Sequence, residues 1–145
     1  MLKKFRKYFL ISKQERKILN RTFFWLICAL ILVRLIPLKW FNSILGEFKK
    51  ELNTDINTKE IDIILSLKKN IRRLKRVLPW RVKCFEEAVA AKKVLEEKGI
   101  KSTLYLGVDK NLNDELIAHA WLKKGQYFIA GEKDSEKFKV VGFYS

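Results

Sequence analysis

The chain predicts an α+β fold, with helices filling its front and a small antiparallel sheet of three or four strands closing it. Three observations carry that prediction. Apolar positions as far as Lys98 recur at helical steps, from Ile100 onward they alternate, and no strand–helix–strand alternation of a parallel sheet appears. With 48% apolar and 32% charged residues the composition is that of a folded chain, not a disordered one. A length of 145 residues suffices for one core with an extension, so two independent cores are not expected.

The first stretch, as far as "LGEF", is rich in helix formers and reads as two or three helices broken at Pro37. Its longest apolar run, "FFWLICALILV" over residues 23–33, is shorter than the roughly 20 residues a spanning helix needs. Arg34, Pro37 and Lys39 interrupt the apolar pattern beyond it. A core helix is expected there; basic flanks leave peripheral contact with a membrane surface, or a true span, as alternatives.

The polar linker "KKELNTDINTKE" follows, and Asn57 three residues before Glu60 forms a capping-box pattern that starts a helix near Thr58. On this helix Ile61, Ile64, Leu67, Ile71, Leu74 and Leu78 form an apolar stripe, and Lys68, Lys69, Arg72, Arg73, Lys75 and Arg76 form the other side. Pro79 ends it. A second helix, "CFEEAVAAKKVLEEKG", has Glu in its first turn, Lys98 in its last and Gly99 as C-cap, which puts Cys84 at its N-terminus. Strands then read as "KSTLYLGVD", "LIAHAWLKK", "QYFIAG" and "KFKVVGFY", with a tight turn at Lys124-Gly125. The chain thus divides into a helical, basic and apolar segment over residues 1–57 and a core over 58–145.

The net charge of +15 is unevenly placed. Residues 1–50 carry 12 basic and 2 acidic side chains, residues 67–83 carry 8 basic and no acidic ones, and residues 84–145 balance at 10 against 10. A basic front of this kind meets something anionic, whether phosphate, lipid head group or acidic peptide. Two cysteines in unlike settings, and no signal peptide with a small-residue cleavage site, lead to an expected cytoplasmic location with free thiols.

Two readings stand for Cys84. A helix N-terminus offers unpaired N–H groups and the positive end of the helix dipole, which favour a thiolate and can hold an oxyanion. Against that, Ala88, Ala91 and Leu95 share its helical face, where a thiol packs as a small hydrophobe. Cys28 lies inside the apolar run and reads as core. His119, the chain's one histidine, is either a satisfied strand residue or a sheltered general base sharing a face with Ile117 and Trp121. A helix-borne Cys packed on a strand-borne His is the papain-like arrangement.

The ordered set Pro79, Trp80, Arg81, Cys84, Gly99, Ile100, Gly107, Val108, His119, Ala120 and Trp121 resembles the transglutaminase-like cysteine peptidases of lasso peptide biosynthesis. The resemblance spans residues 67–145 and, more loosely, the front half. It implies a papain/transglutaminase-like core and leader-peptide cleavage with Cys84 as nucleophile and His119 as general base and acid, with substrate contacts at Trp80 and Trp121. It further implies as partners the precursor peptide, a separate PqqD-like leader-recognition protein and an ATP-dependent lactam synthetase. Neither metal nor organic cofactor enters that chemistry, and specific nucleic-acid binding is not expected.

Many transglutaminase-like enzymes orient the histidine with an acid on the next strand. A two-residue turn at Lys124-Gly125 would instead set Ala130 opposite His119 and leave Glu132 on the diagonal, opposite Ile117. Glu132 is therefore the expected third residue, Asp134 the next, and a dyad aided only by backbone carbonyls a third option. Two rival functions remain: the same dyad as an acyltransferase or other amide hydrolase, and a non-catalytic basic module in which "KKFRKYF" touches lipid or nucleic acid.

Overall fold

A computed structural model of the chain describes residues 8, 10–37, 40, 42–48 and 55–145. Lys39, most of "KKFRKYF" and the first half of the polar linker lie outside the described residues. The elements are α1 (Lys13–Leu35), the short α2 (Asn42–Leu45), α3 (Thr58–Lys75), α4 (Cys84–Glu96), β1 (Thr103–Lys110), β2 (Leu116–Lys124), β3 (Tyr127–Ala130), a 3₁₀ turn at Ser135–Lys137 and β4 (Lys139–Tyr144). The four strands form one antiparallel sheet in the order β3-β2-β1-β4, so the fold is the α+β one expected.

Local chemistry sets the helix starts. Asn57 Oδ1 accepts from Glu60 N at 2.9 Å and Glu60 Oε2 accepts from Asn57 N at 3.1 Å, the reciprocal box that begins α3. α3 ends at Lys75, ahead of Pro79. α4 starts at Cys84 after Lys83, whose backbone N–H donates to Glu86 at 3.0 Å.

α4 is the hub of the core. Ala88, Ala91, Val94 and Leu95 pack with Ile64, Leu67 and Ile71 of α3, Ile18 and Ala29 of α1, and Leu104, Ala120, Leu122 and Ile129 of the sheet. Fully burying one such leucine contributes about 1.5–3 kcal/mol. α1 is also tied polarly: Glu97 accepts from Arg21 and, at 2.7 Å, from Trp25 Nε1, and Glu15 pairs with Arg73 at 2.5 Å.

By length and composition α1 can cross a membrane: its 23 residues include an 18-residue window of mean hydropathy 1.8. Only one of its faces is core, the row Ile18, Thr22, Leu26 and Ala29, while Phe23, Phe24, Ile31 and Leu35 are exposed. The apolar run of residues 23–33 thus extends into a longer helix that is only partly buried.

Lys124, the last residue of the expected strand and the first of the expected turn, closes β2, its side chain 4% exposed and its Nζ 2.9 Å from Glu60 Oε1. That hydrogen bond holds the Glu60 carboxyl below the usual carboxylate range against the upward push of desolvation. A depressed carboxyl stabilises the fold above its unfolded pKa, and the contribution is lost as pH falls through the folded value. Glu60→Gln, which leaves the Lys124 ammonium buried without its counter-charge, is expected to cost about 3 kcal/mol at neutral pH. The difference from the parent should shrink below about pH 4, as urea titrations at both pH values would show.

Candidate active site

The strand pairing around His119 differs from the expected one. Lys124 pairs with Tyr127 and Lys123 with Phe128; then a bulge between Leu122 and Lys123 sets Leu122, not His119, opposite Ala130. β3 ends there. His119 and Ile117 pair instead with Gly107 and Asp109 of β1, and Glu132 lies beyond the ladder.

Ala120 and Leu122 join the core under α4, so strand alternation turns His119 and Trp121 to the other face. There the His119 ring lies 4.9 Å from the Phe138 ring and 5.9 Å from that of Trp121, which stacks in turn on Tyr105 at 5.7 Å. Gly107, directly opposite His119, leaves this layer room: a Cβ there would lie 2.7 Å from Phe138 Cβ and 2.8 Å from Trp121 Cζ3.

One polar bond holds the imidazole: Nε2 lies 2.8 Å from the Gly131 carbonyl oxygen. A carbonyl only accepts, so Nε2 carries the proton and a neutral ring keeps its lone pair on Nδ1. Gly131 has φ 68° and crosses β2 so closely that a Cβ would sit 2.2 Å from the Ala120 oxygen and 2.9 Å from Trp121 Cα. Only glycine fits that approach. The carbonyl thus holds the ring where an acid was expected. The sequence signal for it was a glycine directly after a strand, in "FIAGEKD".

Cys84 is half-buried as the first residue of α4, and its own backbone N–H has no partner among the described residues. Cys84 and His119 line one open cleft of about 1180 Å³, floored by Ile71, Val82, Ile129 and Ala130. No hydrogen bond joins the two side chains. Glu132 and Asp134 also line this cleft. The Glu132 carboxylate is 66% exposed and 3.8 Å from Lys68 Nζ, and it makes no bond to His119. Asp134 Oδ1 accepts from Lys137 Nζ at 2.6 Å, which holds its carboxyl below the usual range, with the His119 charge a smaller cause.

The other expected site residues take packing positions. Trp80 packs with Leu26, Leu74, Val82 and Ala90 and does not line the cleft. Trp121 is 5% exposed within the aromatic layer beside His119. Cys28 is half-buried on α1, and both thiols are free.

Among the described residues no group of three or more His, Cys, Asp or Glu could hold a metal ion. The sequence model of the transglutaminase-like superfamily matches residues 31–142. No curated protein matches the chain, and no solved structure does.

Proposed function

The chain belongs to the transglutaminase-like superfamily, whose members are usually cysteine peptidases or acyltransferases, and from that premise we propose that it is a cysteine peptidase acting through Cys84 and His119. The observation that carries the reading is a helix-terminal thiol sharing a cleft with an imidazole whose Nε2–H is held by the Gly131 carbonyl, leaving Nδ1 as base. Cysteine–histidine pairs without substrate often sit looser than the reacting geometry and tighten around the bound carbonyl.

Nδ1 of His119 takes the Cys84 proton as Sγ attacks the carbonyl carbon, and backbone N–H groups at the start of α4 receive the oxyanion. The imidazolium then gives that proton to the leaving nitrogen, the C–N bond breaks, and a thioester remains on Cys84. Water next attacks the thioester carbonyl and passes its proton to Nδ1; the C–S bond breaks and the thiol reforms. A cleft lined mostly by charged side chains is wet, which makes water the acceptor at hand and favours hydrolysis over transfer to an amine. In this reading the Gly131 carbonyl does the orienting expected of Glu132 or Asp134.

The finer assignment is the leader peptidase of a lasso peptide pathway, supported by the motif set from Pro79 to Trp121. Its precursor would be presented by a PqqD-like recognition protein and its product passed to the lactam synthetase, in the cytoplasm or at a membrane surface met by α1. Mass spectrometry of the precursor, recognition protein and this chain together is expected to show two fragments whose summed mass exceeds the precursor by one water. A joined, heavier species identifies an acyltransferase instead, and fragments that still form with Cys84→Ala end the proposal.

A further inference from the structure

The cleft holds far more positive charge than its own carboxylates neutralise. Of its acidic side chains, Glu87 is taken by Lys75 at 2.5 Å, Glu132 by Lys68, and Asp134 by Lys137. Arg72 and Arg76 on α3, Arg81 and Lys83 just ahead of the nucleophile, and Lys133 across the cleft make no ion pair among the described residues. All five are exposed and line the same cleft as Cys84 and His119.

From this charge, and resting on the hydrolytic reading of Cys84, we infer that the cleft selects an acidic peptide, with Asp or Glu side chains close to the scissile bond meeting these five cations. Lys83 adjoins Cys84 in sequence and Arg81 lies three residues before it, so carboxylates a few residues from the scissile carbonyl are the ones met. The buried apolar floor takes the intervening side chains. At about 1180 Å³ the cleft exceeds the roughly 300–1,000 Å³ of a small-molecule site, as a chain segment needs.

Rival anions fit less well. No Phe, Tyr or Trp side chain lines the cleft among the described residues, so a single-stranded nucleic acid finds no run of rings to stack on. A bilayer is flat, and these cations flank a concavity.

The test uses the full chain carrying Cys84→Ala, so binding is read with the chemistry switched off and does not depend on the hydrolytic reading. Two fluorescein-labelled peptides of equal length are compared by anisotropy, one alternating Glu with Ala and one alternating Gln with Ala. The Glu peptide is expected to bind at least about tenfold more tightly at low salt, with the advantage shrinking as salt rises. Arg72→Glu with Arg76→Glu should remove most of that advantage and Arg72→Gln with Arg76→Gln about half. The same charge reversal at exposed Lys101 and Lys139, outside the cleft, should change it little. Equal binding of the two peptides overturns the inference. So does an equal loss from the Lys101 and Lys139 reversal, or tighter binding of an oligodeoxynucleotide or of phosphatidylglycerol vesicles than of the Glu peptide.

Discussion

His119→Ala is expected to lower turnover by about 10²–10⁴-fold while the chain stays folded. The imidazole donates one hydrogen bond, to the Gly131 carbonyl, and packs beside two aromatic rings, so its removal leaves Phe138 and Trp121 to close over a modest gap. What is lost is the base that draws the proton from Cys84 and the acid that returns it to the leaving nitrogen. Residues that act as a unit are strongly non-additive. The double variant Cys84→Ala with His119→Ala should therefore release no more fragment than Cys84→Ala alone, which is inactive, while His119→Ala alone keeps the residual rate. Steady-state cleavage assays of the three variants, with circular dichroism to verify folding, measure this.

Gly131→Ala is expected to damage both stability and chemistry. A methyl at this position meets the Ala120 oxygen at 2.2 Å, and the left-handed φ of 68° adds strain, so the backbone must lift from β2. Strain of this kind costs about 1–3 kcal/mol. Because the carbonyl that moves is the one holding His119 Nε2, the ring loses both its orientation and its enforced tautomer, and a displacement of about 1 Å at a reacting group costs roughly 100-fold in rate. A purely structural role would lower the unfolding midpoint and leave turnover per folded molecule alone. Glu132→Gln is the contrasting variant: loss of an exposed carboxylate 3.8 Å from Lys68 should change stability by well under about 1 kcal/mol.

The helices were legible in the sequence because their ends are written locally. Asn57 with Glu60 starts α3, Gly99 at φ 70° ends the α4 turn, and the apolar stripe of α3 is the face that enters the core. The position of Cys84 followed from the same signals. The hairpin did not, because a distant partner decides it. Lys124 stays in β2 bound to Glu60, 64 residues away in sequence, which moves the turn on to Gly125 and Gln126. Gly125, at φ 53°, then takes the first turn position, where left-handed backbone is needed. The later bulge shifts pairing again, and no local pattern announces it.

The group that holds His119 was hidden in the sequence for a related reason. Side-chain type is visible in a sequence, but a backbone carbonyl looks alike at every residue. Gly131 marks this one only through the close crossing of β2 that a side chain would forbid. Trp80 and Trp121 show the complementary limit: large aromatics flanking site residues invite a binding role, and these two are spent on packing around Leu74 and Tyr105. The cationic side of α3 was plain from its spacing, but that it walls the same cleft as Cys84 is a tertiary fact.

The pairing of Cys84 with His119 is tested most directly by site-resolved alkylation. Iodoacetamide is applied at neutral pH to the parent and to His119→Ala, and the carboxamidomethylated peptides holding Cys84 and Cys28 are timed by mass spectrometry. The reacting pair predicts that Cys84 is modified well ahead of Cys28 in the parent and slows in His119→Ala, while the Cys28 rate stays the same. A Cys84 that reacts no faster than Cys28, or at the same rate with and without His119, contradicts it.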